Sequence, residues 1–192
     1  LAARVGRSAA MRARRAVRKL SQGTRLDALF FHTQVPAMLA TDWVKRLPSV
    51  VSLDATPRQI DRLGAAYDHL SGSHLVEGIK WRIHRECLIS ARHLVAWSSW
   101  TKKSLVDEYE IPADKITVVP PGVDVRSWAI SRPAKDPHAP VKILFVGGDL
   151  ARKGGPDLIE AFRQLRAQRA SSDPEVELHL VTRSEVKPEP GV

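Results

Sequence analysis

The chain has 192 residues, 43% of them hydrophobic and 27% charged, which is enough apolar material for one or two packed domains. Its apolar runs are short, far below the roughly eighteen residues needed to cross a bilayer. Its single cysteine excludes an internal disulfide and a cysteine-based zinc site. The formal charge of +9 suggests a nucleic-acid partner until it is located: eight of the Lys and Arg residues fall in 1–25, which holds no acid, leaving 22 basic against 21 acidic side chains elsewhere.

Residues 1–25 read as an amphipathic helix. At 100° per residue, Val5, Ala9, Ala13, Ala16, Val17 and Leu20 share one arc, with Arg7, Arg14, Arg15 and Arg18 opposite and Met11 out of place. A solvated helix packed on a sheet is the plain reading. Contact of its cations with anionic lipid is a second, which would make the protein peripheral to a membrane. A nucleic-acid arm is disfavoured because no aromatic residues interleave with the cations. A transit peptide is disfavoured because the chain opens on Leu1 and strand signals follow at once.

Beyond the helix, apolar strand-like runs stand at 28–32, 50–53, 94–97, 116–119, 142–146 and 176–181. Helical stretches fall between most of them, at 36–47, 58–70, 75–92, 99–109 and 156–170. The runs are continuous rather than alternating, as in strands covered on both faces, so the pattern predicts an α/β protein with a doubly wound parallel sheet. Cys87 falls inside a helical stretch and reads as a buried thiol of a reduced, cytoplasmic protein. The stretch 125–140 carries three prolines and mixed charges and reads as a linker between residues 1–124 and 141–192. The second part holds only strand, helix, strand and tail, so the expectation is an incomplete domain in a chain cut at both ends.

The segment "ILFVGGDLARKGGPDLIEAF", residues 143–162, concentrates the chemistry. A buried strand ends in Gly147 and Gly148, two cations follow at Arg152 and Lys153, and Pro156 opens a helix. Glycines there let the backbone turn sharply and offer N–H groups to a ligand at the carboxyl edge of the sheet. Two cations beside the positive end of a helix dipole need an anion between them, and a diphosphate fits. A plain solvated turn is the alternative. The spacing is not a P-loop, since Lys153 is followed by Gly154 and not by a hydroxyl residue, nor is it G-x-G-x-x-G. The seven histidines form no ligand pair, so no metal site is predicted.

Taken with "HLVAWSSWTKKSLVDEYEIPADKITVVPPGVDV", this segment resembles family 4 of the retaining glycosyltransferases, across about residues 27–182 and most strongly over 94–124 and 141–162. The resemblance implies the GT-B fold: two Rossmann-like doubly wound parallel-sheet domains, here with the C-terminal one incomplete. It implies a nucleotide-sugar donor held on the C-terminal domain and a sugar, lipid or other glycan acceptor on the N-terminal one. It implies no metal and no cofactor, the nucleotide sugar being a substrate. Gly147, Gly148, Arg152 and Lys153 would bind the donor diphosphate, Lys153 matching the family's lysine. Many relatives carry an arginine where this chain has Gly148, so Arg152 is expected to compensate. On the acceptor side, Asp54 stands where many relatives have a histidine, and His32 ends a neighbouring strand; either an N-cap or a catalytic role fits Asp54. Ser98, Ser99 and Thr101 read as ligand contacts or caps, and Trp97 and Trp100 as packing. Pro121, Gly122, Val123 and Asp124 match a family motif, either as a capped turn or as a ligand contact. Glu110 replaces a helix-ending glycine, so that helix end is expected to differ. The family's paired glutamates would lie beyond Val192, and its first glycine loop before Leu1. A non-catalytic diphosphate-binding module is the competing class, and a basic membrane- or nucleic-acid-binding protein the third.

Overall fold

The computed structural model describes residues 2–64, 73–129, 136, 139–170, 172–187 and 189–191. The chain divides into two compact units, Leu1–Val123 and Asp124–Val192.

The first unit runs α1 (Ala2–Gly23), β1 (Leu29–His32), α2 (Gln34–Ala37), α3 (Thr41–Arg46), β2 (Ser49–Leu53), α4 (Pro57–Leu63), α5 (His74–Ser90), β3 (His93–Ala96), α6 (Ser99–Tyr109) and β4 (Ile116–Val118), with a 3-10 turn at Ala113–Lys115. The four strands form one parallel sheet in chain order, a Rossmann-like arrangement in which the intervening segments carry the crossovers. Its core is Phe31, Val51, Leu53, Leu88, Leu94, Ala96, Leu105, Tyr109, Ile111 and Ile116 with their neighbours. The continuous apolar runs are explained where strands lie inside: four of the five β2 residues are buried. On β1, an outer strand, the run is not covered throughout: Phe30 is 66% exposed, between half-buried Leu29 and buried Phe31.

Side-chain caps account for the starts of α4 and α6. Thr56 and Gln59 form a reciprocal capping box on α4, with Pro57 in its first turn, and Ser98 Oγ accepts from Thr101 N to start α6. The helix expected at 58–70 stops at Leu63, where Gly64 takes φ 46°; residues 65–70 lie outside the described residues. The helix expected at 36–47 is two short helices, because Ala40 leaves helical geometry at φ −110°, ψ 21°.

Helix α1 meets α2 through a face rotated from the expected arc toward Ala10 and Arg14, with Ala9, Ala13 and Val17 of that arc still half-buried. Ala10 is fully buried while Leu20 is 57% exposed, and Arg14, expected in solvent, donates from Nη1 to Leu39 O and pairs through Nη2 with Asp42. The small side chains of Ala9, Ala10 and Ala13 let the helices approach closely, and that contact outweighs the larger Leu20.

In the second unit, β5 (Val141–Val146) and β6 (Val176–Val181) pair in parallel, joined by α7 (Gly155–Gln168). Ile159, Phe162 and Leu178 are its buried core, with Ile143, Leu150 and Leu180 packed around them. Here the expectation of strands covered on both faces does not hold. Alternate residues point away from α7, and Leu144, Val146 and Val181 are 65%, 70% and 56% exposed, with no described element over them. Of the stretch expected to be a linker, residues 130–135, 137 and 138 lie outside the described residues.

Candidate functional site

Parallel pairing sets the carboxyl ends of β1, β2 and β3 along one edge of the first sheet, and the polar side chains gather there. His32, the last residue of β1, is exposed, and its ring lies 5.3 Å from that of Trp97, just past β3. Trp97 Nε1 donates to Ser52 Oγ at 2.7 Å, which fixes the indole against β2. Trp97 is therefore the packing surface for His32. Thr33 follows at φ 69°, ψ 155°, a region essentially reserved for glycine and strained for a β-branched residue. Its N–H donates to Ser52 O at 2.7 Å, so the strain accompanies the anchoring of the chain next to His32.

Asp54 is exposed one residue beyond β2. Its Oδ1 accepts from Ala55 N at 2.9 Å, and its carbonyl accepts from the buried Thr101 hydroxyl. The N-cap of the following helix is Thr56, so the capping role open to Asp54 in the sequence is taken by its neighbour but one. Gln34 was not singled out in the sequence. It is buried, donates from Nε2 to Ala55 O at 3.3 Å, and leaves Oε1 without a partner among the described residues. Only the fold brings it beside the Asp54 turn, so no sequence signal marked it. Behind this edge, Thr56 and Ser104 share a hydrogen bond, Gln59 Nε2 donates to Trp100 O, and Tyr109 Oη accepts from Arg58 N. Ser98 and Thr101 are thus spent on capping and on the Asp54 carbonyl.

The glycine turn of the second unit has a different cause for each glycine. A Cβ on Gly147 would stand 2.9 Å from the Phe145 ring, and one on Gly155 would overlap the Leu150 side chain and meet its carbonyl at 2.8 Å. Gly154 alone needs a left-handed backbone, at φ 78°. Nor does Gly147 offer its N–H to a ligand: it donates to Val181 O at 2.9 Å and extends the ladder. Asp149 organises the loop that follows, its Oδ1 accepting from Arg152 N and its carbonyl from Lys153 N. Its Oδ2 also lies 3.6 Å from Arg152 Nε, so part of the anion demanded by the two cations is supplied by the turn itself. Lys153 is exposed and forms no ion pair among the described residues.

At the start of the second unit, Asp124 Oδ1 accepts from the N–H groups of Arg126 and Ser127, and Oδ2 from Ser127 Oγ at 2.5 Å. The Ser127 hydroxyl and those two N–H groups hold its carboxyl below the usual carboxylate range. Asp124 is a capped turn. On α1, Arg12, Arg15, Arg18 and Lys19 are exposed around Met11. No described helix is long and apolar enough to cross a membrane, and no three His, Cys, Asp or Glu residues among those described stand together as a metal site.

The sequence model of Glycosyltransferase Family 4 matches residues 3–127, which is most of the chain and the whole of the described four-stranded sheet. No curated protein matches the chain.

Proposed function

The chain belongs to glycosyltransferase family 4, and from that premise we propose that it transfers a sugar, with retention, from a nucleotide-diphosphate sugar to a glycan, lipid or other hydroxyl acceptor. The observation that carries the donor half is Lys153, an exposed cation in a loop whose Asp149 is occupied with Arg152. In the transfer the bond between the anomeric carbon and the diphosphate oxygen breaks, and the acceptor oxygen, losing its proton to Asp54, forms the new bond to that carbon. Negative charge grows on the leaving diphosphate, where a fixed cation stabilises the transition state more than the ground state. On the acceptor side, Asp54 takes a hydrogen bond from the acceptor hydroxyl, and His32, held on the Trp97 ring, lines the same edge.

Release of nucleoside diphosphate from a panel of donors, in the enzyme that carries this chain, tests the reading. Lys153→Ala should lower kcat/KM by about 100-fold, the usual loss for one such donor. Asp54→Asn should lower turnover while leaving nucleoside-diphosphate affinity unchanged. If Lys153→Ala changes neither turnover nor that affinity, the turn has no part in donor binding. Nucleotide binding with no turnover on any donor would instead favour a non-catalytic diphosphate-binding module.

A further inference from the structure

Gly148 is the one glycine of the turn that neither a left-handed backbone nor a steric overlap requires. What lies against it is a guanidinium. A Cβ built there would stand 3.4 Å from Arg183 Nε and 3.6 Å from both Cζ and Nη2, in van der Waals contact with the flat group. Arg183 comes from a part of the chain 35 residues away, the segment just past β6, and the two strand ends are tied together at this point. Arg183 N donates to Gly148 O at 3.2 Å, Leu150 N donates to Ser184 Oγ at 3.1 Å, and Ser184 N donates to Thr182 Oγ1 at 3.1 Å. These bonds hold the backbone of 182–184 on the turn and hence the root of the Arg183 side chain beside Gly148. The charge is not otherwise used: Arg183 is exposed and forms no ion pair among the described residues. The N–H groups of Gly148 and Asp149 likewise have no acceptor among the described residues.

We propose that Arg183 is a binding residue for the donor diphosphate, its guanidinium working with the N–H groups of Gly148 and Asp149 and with Lys153. This rests on the reading of the turn as the donor site. A guanidinium offers a planar fork of N–H donors that matches phosphate oxygens, which a lysine ammonium does not. A glycine at 148 lets that plane lie directly on the backbone, so the side-chain donors and the main-chain N–H groups share one small surface. The carboxylate within the turn, Asp149, is engaged with Arg152 and the Arg152 N–H, and neither Arg183 nor Lys153 forms an ion pair among the described residues.

The test is calorimetric titration of the chain with inorganic pyrophosphate and with UDP, GDP, ADP and dTDP. Arg183→Gln should weaken pyrophosphate and the best-bound nucleotide alike by about tenfold, the loss expected for one charged hydrogen-bond donor, and the loss should shrink as salt rises. Arg183→Lys should recover only part of the affinity. Lys142→Gln, a cation at the opposite end of β5, should change nothing. If Lys153→Ala weakens binding and Arg183→Gln does not, the donor site stands and the role of Arg183 is overturned. Equal losses from Arg183→Gln and Lys142→Gln would mean unspecific charge attraction and would also overturn it. Wild-type chain that binds none of the five probes overturns the donor-site reading itself, and this inference with it. Circular dichroism of each variant shows whether a loss of binding is a loss of fold.

Discussion

Single residues in this chain often do something other than their type suggests, and Glu110 is the clearest case. The helix end expected to change for want of a glycine does not change. Glu110 takes the left-handed conformation itself, at φ 54°, ψ 37°, and the following N–H, that of Ile111, donates to Leu105 O at 3.1 Å. A non-glycine residue there costs about 1–2 kcal/mol. The pair from Arg85 Nη2 to the Glu110 carboxylate, at 2.8 Å, offsets only part of this, because that carboxylate is mostly exposed and such pairs contribute about 0–1 kcal/mol. Backbone strain outweighs the ion pair, so Glu110→Gly should stabilise the first unit by up to about 1 kcal/mol in urea unfolding. A destabilised variant would show that the Arg85 pair contributes more than the strain costs. The same distinction governs the glycine turn: four glycines mark a special loop in the sequence, but whether each serves a backbone angle or a neighbour depends on Phe145, Leu150 and Arg183, which the sequence does not place.

Among the elements, α5 is the one whose chemistry is set by burial. Cys87 is buried, and desolvation pushes its thiol up to about 11, so it is an inert packing group at neutral pH. His84, one turn before it, is also buried. Burial holds its imidazole below the ordinary value, Asp61 on α4 acting against this and Lys80 on α5 adding to it. The neutral ring is the form that folds. Between the depressed folded value and the ordinary 6.5, the unfolded chain binds a proton that the folded chain does not. The contribution of His84 is therefore complete above that ordinary value and is lost progressively as pH falls from it through the depressed folded value. Urea midpoints should be lower at pH 5.5 than at pH 7.5, and His84→Gln should reduce the difference; an unchanged difference would assign the pH dependence to other groups. The positions of the strands were legible at this scale, since continuous apolar runs bounded by turn residues leave little freedom. The break between α2 and α3 was not: no glycine or proline stands at residues 38–41, where Ala40 leaves helical geometry and, like Ala37, is fully buried, a placement only the fold supplies.

At the scale of the whole molecule, the two units differ in how much they bury. Among the described residues the first has a cluster of fifteen buried apolar residues and the second of three, with one face of the β5–β6 pair exposed. Hydrogen exchange should therefore protect the amides of β2 and β3 far more than those of β5 and β6. Comparable protection in both would mean that the second unit gains stability from contacts other than its core. The sequence by itself determined the α/β class, the order of strands and helices, the family resemblance and the identity of the cations at the glycine turn. All of these follow from local periodicity, from capping and turn chemistry, and from short motifs read along the chain. Tertiary structure alone decided which face of α1 packs, that Asp149 answers Arg152, that Trp97 carries His32, and that Arg183 lies on Gly148. Each of these joins residues through space or through the detailed geometry of one turn, and such pairings are selected by packing and charge balance, of which the linear pattern records only one partner at a time.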